Sequence, residues 1–435
     1  MSLYTEFIKL SKSHRVLVTV VFLLLVINGI YGQFRVLFKY NDVRMDLPTF
    51  YTAAKICEPS NDLYDYSQLK KAWQDEQVSQ KILPYVYPPF FASILKPVTL
   101  ISFNSFQIAW LLFDYLMLSL LLGLVIKLLL QYWEIRAEIF VIPMLIFMVY
   151  SPIERNLICG QTNLLITALL LGMFLSEKRE RQGWAGILLA LSVIIKLSPA
   201  IFMVYFAFKR KWSAIVACLI TLLILFLISL PFCGLSNWIN FFGELFPKLG
   251  MPENIPGLDN APTQPLAEYS LMRFLKMLFY SFGVVDFTTF AQIFHKIISA
   301  IILIFTFYRI RDAKNDGSKL FIHYQLLICV MLIISPMSHH THFVFLLPGF
   351  VFLLYRMLKV DFRLSDVLLL SVSFLLIAQS DILPRIPMGE HRILYLLKPV
   401  KFYGLIMLYA YLLMMMNRRE ITDKAIETNV QPSSA

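Results

Sequence analysis

Apolar runs long enough to cross a hydrocarbon core of roughly 30 Å recur from Val16 to Met416. In lipid every backbone N–H and C=O must be satisfied within the chain, so runs of this kind fold as helices packed on one another. Composition agrees. Hydrophobic residues make up 58% and charged residues 15%, against roughly 45–50% and 25% in ordinary soluble domains. The sequence therefore reads as an all-α polytopic membrane protein. Residues 1–419 make a single integral-membrane domain, and residues 420–435 a polar tail expected to be disordered. The formal charge of +11 comes from Lys and Arg scattered among short loops. They form no single basic stripe, which argues for positive-inside topology and against nucleic acid as a partner.

Lys9, Lys12 and Arg15 precede the first apolar run, and no small-x-small cleavage pattern follows it, so the first helix is read as uncleaved with its N-terminus inside. Threading from there gives helices near residues 16–33, 103–130, 138–151, 162–176, 212–230, 288–308, 320–335, 343–358, 365–379 and 396–416. Two shorter arms, "GWAGILLALSVII" and "AIFMVYFAF", flank "KLSP" and read either as broken helices or as a re-entrant pair. The total is about twelve crossings, with two long outer loops at residues 34–90 and 231–286, the second rich in Pro, Gly and Asn and expected to carry short helices along the surface. The basic clusters "SEKRERQG", "KRKW", "RIRDAKNDGSK" and "RMLKVDFR" all fall inside.

The unusual polar stretches, "MDLPTFYTAAK", "YPPF", "IERNLICGQTN", "KLSP", "TQPLAEYSLMR" and "SPMSHHTH", all fall outside in this threading. Convergence from distant positions is what one site at one membrane face produces. Asp46 reads either as a carboxylate capping a short helix or as a functional acid, with Asp42 its nearby competitor. Tyr51 follows Asp46 on the same short helix, and Tyr87 is a candidate cavity residue. Gln161 and Asn163 either cap a helix or offer neutral groups to sugar hydroxyls. Lys196 either snorkels or, like Arg273 and Arg155, meets an anionic phosphate. His339, His340 and His342 could suggest a metal, but adjacent and i+2 histidines cannot all face one way on a helix and no acidic or Cys cluster accompanies them. Binding a phosphate or holding the carboxylate fits them better, and no metal is expected. The five cysteines form no CxxC; a Cys57–Cys233 pairing is open but unsupported by spacing.

In order, these motifs resemble glycosyltransferase family 87, the polyprenyl-phosphate-sugar-dependent enzymes of the GT-C superfamily that include mycobacterial mannosyl- and arabinofuranosyltransferases. "DLPTFYTAA" is similar to the family's Asp followed by aromatics and Ala-Ala, and Tyr87-Pro88-Pro89 to its Tyr-Pro-Pro. Gly160, Gln161 and Asn163 resemble Gly-Gln-x-Asn, and Ala185, Gly186, Lys196 and Pro199 the following Ala-Gly and Lys-x-x-Pro. Ser335, Pro336, Ser338 and His342 resemble its Ser-Pro-x-Ser stretch with histidines. The chain departs where the family often has Trp, an acidic residue and His-His; here stand His339, His340, Thr341 and His342. An Asn-Gln-Ser-like run is replaced by "PTQPL", in which Gln264 is the nearest match.

The resemblance implies a GT-C-like bundle and inverting transfer of a sugar, mannose by default, from a polyprenyl phosphate carrier to a hydroxyl of a lipid-linked or glycan acceptor. It places the site on the extracytoplasmic side of a cell membrane, a bacterial inner membrane by default. Asp46 would be the catalytic base, with Tyr51, Tyr87, Gln161, Asn163, Lys196, Gln264, Arg273, His340 and His342 binding substrate. Expected partners are membrane lipids, the lipid-linked donor and a glycolipid or glycan acceptor, with no cofactor. A transporter or flippase of lipid-linked sugars is the alternative; it would show repeated halves and a midplane site. A polysaccharide polymerase or ligase would share the carrier and differ in what it transfers.

Overall fold

The computed structural model describes residues 46–76, 82–133, 138–251, 254–258, 268–311, 317–357, 363–379 and 391–416, with Ile27, Tyr31, Gly32 and Val36 before them. Most of the expected first helix, Asp42, Gln264 and the 420–435 tail lie outside these residues. Among the described residues the chain is all-helical, and the one extended pairing is an isolated bridge between Glu268 and His339.

The first long loop is itself folded. Helix α1 (Leu47–Ile56) carries Pro48 in its first turn, where a missing N–H costs nothing, and buries Leu47 to Ala54. Helix α2 (Tyr66–Gln74) is capped by Asp65, which accepts from the Ser67 and Gln68 N–H groups. Thr49 of α1 ties down the loop ahead of "YPPF", accepting from the Leu83 N–H at 3.0 Å. Helix α3 (Pro89–Ile94) and helix α4 (Phe103–Leu129) then bring Phe91 and Trp110 against Phe50, with ring centroids 5.0 and 5.5 Å from it. This aromatic nest fixes α1 to the bundle, because offset and edge-on rings combine large burial with a preferred geometry.

Helices α5 (Glu138–Val149) and α6 (Ser151–Cys159) meet at a 59° bend, so "IERNLIC", expected as loop, is helical. Gly160 ends α6 in the left-handed region, φ 69°. It also lies where a Cβ would stand 2.6 Å from Leu47 Cγ, so only glycine lets the chain turn here against α1. Helix α7 (Asn163–Lys178) runs away from this turn, α8 (Gln182–Ile195) runs back, and α9 (Ile201–Phe208) leaves again. At the far end Glu177 pairs with Lys211 and accepts from Tyr324, while Lys209 donates to the Ile310 carbonyl at 2.6 Å.

Helix α10 (Trp212–Asn240) is two helical pieces meeting at a kink, the first running close to its expected end near residue 230 and the second a short helix in the expected loop. Gly234, φ 71° and ψ 166°, is not helical and with Pro231 marks the break between them. Asn237 holds the bend to the first loop, accepting from the Leu63 N–H at 2.8 Å and donating to the Asn61 carbonyl at 2.9 Å. A Cys57–Cys233 disulfide, Cα–Cα 5.0 Å, joins α1 to the same place. Helices α11 (Leu271–Ser281), α12 (Phe287–Arg311), α13 (Gly317–Ile334), α14 (Leu347–Met357), α15 (Leu364–Ala378) and α16 (Val400–Met416) complete the bundle.

Residues Leu223, Ile224, Leu227 and Ile228 of α10 and Ile297, Ile301 and Ile304 of α12 are exposed. Apolar faces this extensive require lipid, and the protein is a multi-pass membrane protein. Four described helical stretches are long and apolar enough to cross a membrane alone, or five with the bent α5–α6 pair; five more apolar helices have 10–17 residues. At 1.5 Å per residue the latter are about 15–26 Å long, short of a core of roughly 30 Å on their own. The expectation of about twelve crossings rests on these.

The close approach of α8 and α10 depends on Gly186, where a Cβ would stand 2.1 Å from the Ala214 carbonyl oxygen. Backbone cannot yield there without separating the helices. Gly186→Ala is expected to lower stability by about 3 kcal/mol, the upper part of the range for overpacking. Thermal unfolding of the detergent-solubilised protein measures it, and an unchanged midpoint contradicts the packing described.

Candidate active site

The ends of α1, α3, α7 and α8 and the "SPMSHHTH" stretch surround one cavity of about 680 Å³. Asp46, Tyr87, Gln161, Lys196, His339 and His342 give it one polar wall. Phe246, Leu249, Leu258, Ile201 and Met331 are among its apolar residues. Such a division, a few convergent polar groups within a largely apolar hollow, suits an amphipathic ligand with a polar head.

Asp46 stands at the N-terminus of α1, yet its side chain makes no capping bond. It is turned instead toward the start of α7. Its Oδ2 accepts a hydrogen bond from the Gln161 amide, and its backbone N–H reaches the Cys159 carbonyl at 3.4 Å. Gln161 is fixed in turn by Tyr87, whose hydroxyl donates to Gln161 Oε1 at 3.3 Å. Asp46 is half-buried on the cavity wall, and removal from water raises its pKa to about 6, against the opposing influence of Gln161, Lys196 and Arg155.

Lys196 is the residue just after α8, and its Nζ lies 2.9 Å from Asn163 Oδ1 and 2.6 Å from His342 Nε2. Burial moves its pKa down to about 7, with Asp46 the main opposing charge. His342 is oriented from behind, its Nδ1 accepting from the His339 N–H at 3.1 Å. The 3₁₀ turn His340–Leu346 that carries it is pinned to α6, since Asn156 donates to the Thr341 carbonyl at 2.7 Å.

Not every predicted residue reaches the cavity. Tyr51 packs on Phe106 and donates to the Ile101 carbonyl at 2.9 Å, away from the cavity wall. Asn163 is buried behind the wall and touches it through Lys196. His340 faces Ser151, Nε2 to Oγ 2.9 Å, and is not a lining residue. Arg273 is buried near Glu268 and Lys398, also off the cavity. Gln264 lies outside the described residues. Thr49, Ser198 and the Phe246–Gly250 turn line the cavity without having been singled out; only their position in the polar islands hinted at the first two. Among the described residues no three His, Cys, Asp or Glu groups gather as metal ligands would.

A profile of glycosyltransferase family 87 matches residues 85–336, more than half the chain. The chain belongs to glycosyltransferase family 87. The family 87 match covers Tyr87, Gln161, Asn163, Lys196 and Arg273, whereas Asp46 and the His339–His342 stretch lie beyond it and join the cavity through the fold. A polyprenol-phosphate-mannose-dependent alpha-(1-2)-phosphatidylinositol pentamannoside mannosyltransferase of Mycolicibacterium smegmatis is 26% identical over 175 residues, 40% of this chain and 40% of that relative. The match thus spans less than half the length of the curated relative.

Proposed function

We propose that this family 87 protein transfers a sugar, mannose by likeness to its relative, from a polyprenyl phosphate to a hydroxyl of a glycolipid or glycan at the outer membrane face. The observation that carries the reading is Asp46, a carboxylate held on the cavity wall by Gln161 and facing the same hollow as Lys196 and His342. Asp46 takes the acceptor's proton as the acceptor oxygen attacks the anomeric carbon. The bond from that carbon to the phosphate oxygen breaks on the opposite side, and its electron pair leaves with the lipid phosphate, which inverts the anomeric centre. A pKa of about 6 leaves Asp46 ionised at neutral pH and a stronger base than an ordinary aspartate. Lys196 and His342 meet the phosphate, and the apolar part of the cavity takes the first isoprene units. The scheme calls on no metal.

Two features support the outer location. The end of the bundle opposite the cavity carries Lys127, Lys178, Arg179, Arg181, Lys209, Arg210, Lys211, Arg309 and Arg311, as a cytoplasmic side does. The Cys57–Cys233 disulfide sits at the cavity end, as an oxidising compartment allows.

The test is to offer the purified protein labelled polyprenyl-phosphate sugars and labelled nucleotide sugars with membrane lipid acceptors. Label is expected to leave the polyprenyl phosphate only, and to appear in product with the opposite anomeric configuration. Use of a nucleotide sugar, or movement of the intact carrier across a bilayer without transfer, contradicts it.

A further inference from the structure

The contact between Lys196 and His342 restricts where protons stand. The His339 backbone N–H can only donate, and it donates to His342 Nδ1 at 3.1 Å. Nδ1 therefore presents its lone pair, and the ring proton sits on Nε2. Nε2–H in turn faces Lys196 Nζ at 2.6 Å. Two donors cannot share a hydrogen bond, so the lysine must offer a lone pair, which an ammonium lacks. The second contact of Nζ, to Asn163 Oδ1 at 2.9 Å, is a donation that an amine also makes.

We propose that Lys196 stands as a neutral amine in the substrate-free site, held so by the tautomer of His342, and takes up one proton when a lipid phosphate oxygen replaces His342 as its partner. The proposal rests on reading the cavity as the site of a lipid-linked sugar phosphate. Before the phosphate arrives, His342 thus also holds Lys196 in its neutral form. A neutral amine costs far less to bury in an apolar hollow than an ammonium does, and the positive charge arises only when a phosphate is present to face it. Its pKa of about 7 leaves the amine form dominant above neutrality.

The groups that bear on Lys196 are Asp46 across the cavity, His342 in contact and His339 beside His342. Arg155 acts on Asp46, and Asp46 on Tyr87. In the proposed cycle one proton enters from water as the phosphodiester binds, and the acceptor's proton goes separately to Asp46. When the sugar leaves, the phosphate gains a negative charge and finds the ammonium already formed.

The test is calorimetric titration of the full chain in detergent with a polyprenyl-phosphate sugar, a phosphodiester that does not itself titrate in this range, without acceptor, at pH 8 and pH 6, in two buffers of different ionisation enthalpy. The buffer dependence should report about one proton taken up at pH 8 and close to none at pH 6, with affinity falling about tenfold per pH unit above pH 8. Lys196→Arg, always charged, should show no uptake at either pH. Equal heats in both buffers at pH 8, or uptake that persists in Lys196→Arg, overturns the proposal. Dimethyl phosphate, a monoanion throughout this range, titrated in parallel separates a site that reads the headgroup from one that requires the lipid; an uptake of one proton supports the proposal with either ligand. A second reading needs no ligand. In ¹⁵Nζ-lysine spectra of the free protein, the signal missing from Lys196→Arg should titrate near pH 7, and a midpoint near 10.5 overturns the neutral amine whether or not a phosphate binds. A midpoint near 7 with no binding of the polyprenyl-phosphate sugar overturns the proton uptake together with the donor reading.

Discussion

Asp46→Asn is expected to lower turnover by about 10²- to 10⁴-fold, the contribution of a positioned general base, while the protein remains folded. Asn keeps the shape of the side chain and can still meet Gln161, so the cavity wall should survive. What is lost is the lone acceptor able to remove a proton from an attacking hydroxyl. Stability provides a second and independent readout. The folded pKa of Asp46, about 6, lies above its ordinary value of 3.8, with burial as the main cause. A group raised on folding favours the folded state fully below its unfolded pKa and ceases to do so as pH rises through the folded one. Ionised Asp46 therefore costs stability above pH 6, on the order of 3 kcal/mol for a shift of about two units. Wild type should lose this between about pH 4 and pH 7, and Asp46→Asn should show a flatter profile and a higher unfolding midpoint at pH 8. Unchanged turnover, or a midpoint that falls, contradicts the role and the environment respectively.

Lys196→Met is expected to lower turnover by about 10²- to 10³-fold, as loss of one group stabilising a developing oxyanion does. Met fills nearly the same apolar volume along α8's end and removes only the nitrogen. The pH–rate profile should also move. Turnover of the wild type should fall about tenfold per unit below pH 6 as Asp46 protonates. Lys196 is one of the charges that hold the Asp46 pKa down. Without it, that acidic limb should shift to higher pH. A turnover loss with an unmoved limb would place Lys196 near the phosphate yet electrostatically remote from Asp46, against the geometry.

Much of this site was legible in the chain because its parts are short polar islands in an apolar sequence. An Asp before an aromatic helix, Tyr-Pro-Pro, Gly-Gln-x-Asn and Lys-x-x-Pro each sit at the end of a helix, and these ends meet at one cavity. Five of the six islands supply lining residues of the same cavity. The choices within an island were not legible. Tyr51 and Tyr87 are both tyrosines beside the presumed base, but Ile101, fifty residues on, captures the Tyr51 hydroxyl. His340 and His342 differ by two positions on a 3₁₀ turn, so one meets Ser151 and the other Lys196. Arg273 shares its island with residues that touch the cavity loop, since the Tyr269 N–H reaches the Ser338 carbonyl at 2.7 Å, yet its own side chain is buried away from the cavity. Long-range partners decide all three cases, and no local pattern records them.

The same holds for the fold. The apolar runs were visible, and helix α4 matches its expected span within a residue. The break in α10 near Pro231 was visible too, but what holds the kink was not, because the partners of Asn237 and Cys233 lie in a loop some 170 residues earlier.

The most direct measurement of the central claim is a structure of the protein with a polyprenyl-phosphate sugar bound. The phosphate should lie within hydrogen-bonding distance of Lys196 Nζ, with the isoprene chain along Leu249 and Leu258. The anomeric carbon should leave room for one hydroxyl between itself and Asp46. A donor whose phosphate binds at the basic opposite end of the bundle, or whose sugar is turned away from Asp46, would contradict the account.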